Sequence, residues 1–190
     1  MQVAARSRRT DILAAARREF ATAGYAGARI ERIAAAAAVN KQLLFHYFES
    51  KEGLFTAALS AILEHADTAT PVGDSPVAQL RQLLGALVVT VRSVPGVVGI
   101  LADARSNPGF PPGARQLVTA WRKRLLGRLA AAVREGQKRG YFRDDADPEG
   151  VAAIALAAAV GVVAVDGDQA AAPPFEEFLP RLLVDHCAWR

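Results

Sequence analysis

The sequence predicts an all-α protein, and three features carry that expectation. Apolar residues recur every three or four positions through most of the 190 residues, no stretch sustains the alternation of a half-buried strand, and proline, glycine and cap residues mark the breaks between periodic stretches. Apolar residues make up 52% of the chain, with alanine used throughout, which points to a helical globular core and away from a disordered chain. A chain of this length accommodates one core, or a small domain beside a larger one, without disulfide or metal staples.

The elements follow in order. A first helix is expected from about Ser7 or Thr10 to Ala23, with Ile12, Leu13, Ala16 and Phe20 at helical spacing, and Gly24 ends it as a left-handed cap does. A short second helix turns Ile30, Ile33 and Ala34 inward and runs into a tight Ala37-Ala38-Val39 connection. Asn40 opens a third helix, since its side chain can accept a hydrogen bond from a free amide of the first turn, and Val39 and Leu44 are spaced to close a hydrophobic staple. Ser50 caps a fourth, whose inward stripe includes Leu54, Phe55, Ala58, Leu59 and Ile62. Ala69 to Ser75 is a loop, Pro76 to Ser93 a fifth helix, and Pro95 starts a short sixth that stops before Asn107. The run Asn107-Pro-Gly-Phe-Pro-Pro-Gly113 breaks every period and can only connect. A long seventh helix spans about Ala114 to Lys138; Pro148 opens an eighth to Val165, and Pro174 a ninth to about Trp189.

Two short helices joined by a turn, here about residues 29–48, make a helix-turn-helix, whose second helix enters the DNA major groove. The face left over on that helix holds Lys41, Gln42, His46 and Tyr47, residue types that reach base edges and phosphates. Gln42 can pair bidentately with adenine, and Lys41 can reach guanine or a phosphate. Lys51 adds a cation beside the free amides that open the fourth helix. Arg8 and Arg9, ahead of the first helix, can serve as a short arm on phosphates or in the minor groove. Charge agrees: residues 1–60 hold nine Lys or Arg against five acids, a balance of +4 that equals the net charge of the whole chain. A polyanion needs positive charge only where it docks, so the asymmetry locates DNA contact in the first third. One recognition helix reads too few base pairs to find an operator, so two copies spaced about one DNA turn apart are expected.

The residues Arg9-Thr10-Asp11-Ile12-Leu13-Ala14-Ala15-Ala16-Arg17-Arg18-Glu19-Phe20, Ala23-Gly24-Tyr25, Ile33-Ala34, Val39-Asn40-Lys41, Leu44, His46-Tyr47-Phe48 and Ser50-Lys51-Glu52 together resemble the amino-terminal domain of the TetR family of bacterial transcriptional regulators. The resemblance covers roughly residues 8 to 60; beyond it the chain shows the family's helical layout and one local echo, from Arg134-Glu135-Gly136-Gln137 through Arg143-Asp144-Asp145 to Asp147-Pro148-Glu149. It implies a helix-turn-helix DNA-binding domain at 6–66 and a ligand-binding and dimerisation domain at 67–190. It also places His46 and Tyr47 on the sugar-phosphate backbone. Phe45 stands where the family usually has a tyrosine and so keeps ring packing without a phosphate-bonding hydroxyl. Ala28-Arg29 replaces a threonine pair, removing a capping hydroxyl while offering Arg29 as a phosphate ligand. Leu43 can meet a thymine methyl or pack inward, and Glu31 is either a reader of cytosine or a solvated acid that weakens non-specific binding.

Residues 150–165 of the eighth helix lack charge, yet they are too few and too alanine-rich for a membrane span. Small residues at Ala153, Ala157 and Gly161 let another helix approach, and the resemblance implies a two-fold four-helix bundle from the last two helices, so a homodimer interface with Phe178 and Leu182 from the ninth is expected. The family's inducer pocket lies among helices four to seven; the candidate lining here is Leu59, Leu63, Leu87, Val91, Leu101, Phe110, Leu117 and Trp121 with Asp103 as a polar member, which suits a mostly apolar small molecule. No enzymatic activity and no cofactor are expected: Cys187 and His186 point some 100° apart on a helix, and no phosphate-cradling glycine loop or metal-ligand spacing occurs. The single cysteine and the lack of an apolar leader suit the cytoplasm. The expectation is therefore a homodimeric repressor released from a palindromic operator by a small molecule. The alternative is a helix-turn-helix protein regulated by a protein partner without a small ligand.

Overall fold

A computed structural model describes residues 2–67, 75–94 and 96–166, and among them every regular element is a helix. In chain order these are α1 (Gln2–Gly27), α2 (Ile30–Ala36), α3 (Lys41–Phe48), α4 (Lys51–Asp67), α5 (Pro76–Ser93), α6 (Val97–Ser106), α7 (Pro112–Lys138) and α8 (Pro148–Asp166). The expected ninth helix, with Phe178 and Leu182, lies outside the described residues. The first helix begins earlier than its pattern suggests, at Gln2, so Arg8 and Arg9 ride on α1 and do not form an arm ahead of it. Good helix formers such as Ala4 and Ala5 carry the helix back past the first apolar stripe. At Gly24 the backbone turns to φ 65°, ψ −179°, a left-handed excursion that kinks α1 where its apolar period stops.

The chain divides into two compact units, residues 1–64 with 94–120, and residues 65–93 with 121–190. The expected boundary after residue 66 lies close to the end of the first segment, but α6 and the start of α7 cluster with the N-terminal unit. The core of that unit is built by Ile12, Ala16 and Phe20 of α1, Ile33 of α2, Leu44 of α3, and Leu54, Phe55 and Ala58 of α4, all buried. Phe55 is its aromatic hub, edge-on to Phe20 with centroids 4.8 Å apart and to Phe110 at 5.5 Å. Edge-to-face aromatic pairs contribute about 0.5–1.5 kcal/mol beyond the area they bury. Gly96 brings α6 against α1: it sits at φ 74°, and a Cβ there would stand 2.2 Å from the Ala21 carbonyl oxygen. Arg115 ties the connection before α7 together, donating to the carbonyls of Ala104, Asn107 and Phe110 and lying over the Phe110 ring.

In the second unit α5 packs on α8, burying Leu80, Leu84, Leu87 and Val88 from one side and Ala152, Ala155, Leu156 and Ala159 from the other. The α7–α8 connection falls where the sequence marks it. Gln137 donates to the Arg143 and Ala146 carbonyls at 3.0 and 2.8 Å, Arg134 pairs with Glu149, and the Asp147 carboxylate accepts from the Gly150 amide at 2.8 Å to cap α8. Among the described residues the outer face of α8 is open: Ala153 and Ala157 are exposed, Gly161 is half-buried, and Ile154 is 65% exposed. Among the described residues no single helix is long and apolar enough to cross a membrane.

Candidate nucleic-acid interface

The site is assembled from the α2–α3 hairpin and the start of α4. Ile30, Ile33 and Ala34 bury one face of α2, and Leu44 and Phe48 anchor α3 four residues apart, so the rest of α3 must face outward. Between the helices the chain turns through Ala38, whose φ of 53° is uncommon for a residue with a side chain. The turn holds through Val39 N–H donating to the Ala34 carbonyl at 3.0 Å and Ala37 N–H donating to that of Ile33, also at 3.0 Å. Asn40 then caps α3 as its sequence position suggests, its side-chain oxygen accepting from the Leu43 amide at 2.7 Å. A cap of this kind contributes about 0.5–2 kcal/mol and fixes where the outward face begins.

That outward face presents Lys41, Gln42, Phe45 and His46, all exposed, with Leu43 and Tyr47 half-buried at its edges. Phe45, 39% exposed, is an apolar ring in solvent on an otherwise polar face. His46 meets the edge of Tyr47 with ring centroids 5.8 Å apart, and Tyr47 in turn leans on Phe48 at 6.2 Å. Arg29 is exposed beside the start of α2, and Lys41, the first residue of α3, forms an ion pair with Glu31. The Glu31 carboxyl is held below the usual carboxylate range, first by the hydrogen bond from Lys41 and then by its own backbone amide.

Two further placements depart from a simple phosphate arm. Lys51 is half-buried and donates to the Ala26 carbonyl at 3.2 Å, its ammonium 5.0 Å above the Tyr25 ring, so it clips the start of α4 to the end of α1. Burial, with the Glu52 carboxylate adding, raises the Tyr25 phenol above its ordinary value. Arg9 lies 5.4 Å over the Phe48 ring, which holds this arginine of α1 beside the end of α3, while Arg8 is exposed.

Glu19 is a residue that the sequence pattern alone does not flag. The start of α2 has no side-chain cap, as the loss of a threonine there implies. Instead the Glu19 carboxylate reaches across from α1, accepts from the Arg29 amide at 3.1 Å and stands 3.9 Å from the Arg32 guanidinium. An acid ten residues earlier in sequence has no local signature; only the packing of α1 on α2 reveals it.

The residues proposed for a ligand pocket divide between the units. Leu59, Leu63 and Phe110 are buried in the first, where Leu101 and Leu117 are half-buried and Asp103 is exposed; Leu87, Val91 and Trp121 are buried in the second. The Trp121 indole N–H is buried with no hydrogen-bond partner among the described residues.

The profile described as bacterial regulatory proteins of the tetR family matches residues 12–58, the stretch that builds α1 to α4. Among curated proteins the chain is similar to the HTH-type transcriptional repressor NicS of Pseudomonas putida, 33% identical over 141 residues that cover 72% of this chain and 66% of that protein. The chain thus spans just under two thirds of that relative. Among solved structures it is similar to a TetR transcriptional regulator from Chloroflexus aurantiacus, with a TM-score of 0.79, 23% identity, and coverage of 100% of this chain and 98% of that one. It is also similar to AibR in complex with isovaleryl coenzyme A and operator DNA, with a TM-score of 0.75, 21% identity, and coverage of 93% and 98%. The helix-turn-helix geometry and these matches agree: residues 12–58 belong to the tetR family of bacterial regulatory proteins, and the chain as a whole has the fold of a TetR transcriptional regulator.

Proposed function

We propose that the chain is a ligand-responsive transcriptional repressor of the cytoplasm that binds a palindromic operator as a homodimer. The observation that carries this reading is the outward face of α3, where a capped helix buries only Leu44 and Phe48 and offers Lys41, Gln42 and His46 to a groove. DNA contact is assigned to residues 6–66, with Arg29, Leu43, Phe45, Tyr47, Lys51, Arg8 and Arg9 flanking the readers; ligand response and dimerisation are assigned to 67–190. The likeness to NicS, a transcriptional repressor, supports the regulatory sense. The likeness to AibR, which is bound to isovaleryl coenzyme A and operator DNA, supports a fold that serves both an operator and a small organic ligand.

Two features of the chain support the finer parts. The open face of α8, with Ile154 exposed among Ala153 and Ala157, suits burial against a second copy. The buried Trp121 N–H, without a partner among the described residues, leaves a donor for a carbonyl or carboxylate oxygen on a mostly apolar ligand, since a buried polar group left unpaired costs about 1–3 kcal/mol. Selection of duplexes from a random-sequence pool should enrich a palindrome. Thermal-shift screening with apolar carbonyl compounds should then find one that raises the melting temperature and releases that palindrome. Enrichment without any stabilising compound would favour regulation by a protein partner.

A further inference from the structure

We infer that Glu31 is a specificity-determining residue: by pairing with Lys41 it withholds that ammonium from phosphates and leaves it available to a neutral base edge. The inference rests on the DNA-binding reading above and concerns a residue outside the outward face of α3. Glu31 lies in the first turn of α2 and Lys41 opens α3, so the ion pair bridges the two helices of the motif at the end where α3 begins. Both side chains are more than half exposed, at 62% and 51%. An exposed ion pair adds little to stability, so holding the fold together does not account for the acid's position. Its charge is present at neutral pH, since the hydrogen bond from Lys41 keeps the carboxyl below its ordinary range.

The physical distinction is between a charged and a neutral acceptor. A phosphate that takes the Lys41 ammonium must compete with the Glu31 carboxylate and also approach a like charge. Guanine O6 and N7 are neutral acceptors, so they can share the ammonium while Glu31 keeps part of it. Random DNA is bound through phosphates alone, and its affinity follows the number of phosphates neutralised. Glu31 therefore penalises random DNA more than a sequence that places a guanine beneath Lys41. Arg29, the other cation whose charge acts on Glu31, is exposed and is left to contact phosphate.

The test compares wild type, Glu31→Gln, Lys41→Gln and the double variant on a random-sequence duplex and on the duplex that wild type enriches, across several salt concentrations. Glu31→Gln should bind random DNA about tenfold tighter at low salt and steepen the salt dependence by about 0.9 per protomer, as one more phosphate contact would. It should also relax the preference for a G·C pair at one position in each half-site, and it should melt with wild type. Adding Lys41→Gln should return the slope to the wild-type value. A slope that steepens equally without Lys41 would make Glu31 a source of bulk repulsion and overturn the inference. So would a Glu31→Gln variant that leaves random DNA unchanged and weakens only the enriched duplex, because Glu31 would then read a base itself. If wild type binds random DNA but enriches no sequence, the repressor reading falls, and the specificity assigned to Glu31 falls with it.

Discussion

At the scale of single residues, the proposed interface separates groups free to meet DNA from groups already engaged by the protein. Gln42 is exposed on the first turn of α3, whereas Lys51 is half-buried with its ammonium on the Ala26 carbonyl and over the Tyr25 ring. Gln42→Ala should therefore lower operator affinity by about 1–3 kcal/mol and relax preference at one position in each half-site. Lys51→Ala should weaken operator and random DNA alike by loosening the seat of α4 on α1, and should leave the salt slope close to that of wild type because its ammonium is already held by the protein. Because Lys51 clips α4 to α1, this variant should melt at a lower temperature, which Gln42→Ala should not. Titration of both variants on enriched and scrambled duplexes, with a thermal melt of each, checks the division. Equal weakening of both duplexes by Gln42→Ala would move the reading face to Lys41 or Leu43.

At the scale of elements, the fit of α4 onto α3 depends on one glycine. A Cβ on Gly53 would stand 2.3 Å from the Phe48 carbonyl oxygen, and the Gly53 amide donates to Ser50 Oγ at 2.9 Å, so the first turn of α4 is seated against the last turn of α3. Gly53→Ala should force the helices apart and destabilise the chain by about 1–3 kcal/mol, the usual range for overpacking. Loss of operator binding beyond that expected from the unfolded fraction, measured by melting and titration together, would show that α3 has shifted. The local signals in the sequence announced these elements well. Asn40 and Ser50 cap where their positions require, and the proline starts of α5 and α8 hold, because caps and helix starts are local chemistry. What the sequence could not show is contact between distant positions. The substitute cap from Glu19, the seat of Lys51 on Ala26 and the clustering of α6 with the N-terminal unit all depend on tertiary packing, which periodicity does not encode. The extension of α1 back to Gln2 escaped for a different reason, since alanine-rich turns lack the apolar stripe by which a helix is recognised.

At the scale of the whole molecule, the proposed pairing turns on the outer face of α8. Among the described residues α5 packs on its buried side, while Ala153, Ile154 and Ala157 are exposed. A row of small residues flanked by an exposed isoleucine allows a second helix to approach closely, and a two-fold pair would bring identical faces together. An operator read by one short helix lacks discrimination, whereas two linked copies multiply it, so loss of this contact should abolish operator binding even with α3 untouched. Ala157→Arg is the sharper probe than a change at Gly161, because Ala157 is exposed and an arginine there leaves the single chain free to fold. The variant should keep its helical content, scatter light as a monomer, and bind the enriched palindrome no better than random DNA. A tight dimer in that variant would show that the chain pairs through another surface, and an intact operator affinity in a monomer would remove the geometric reason for pairing altogether.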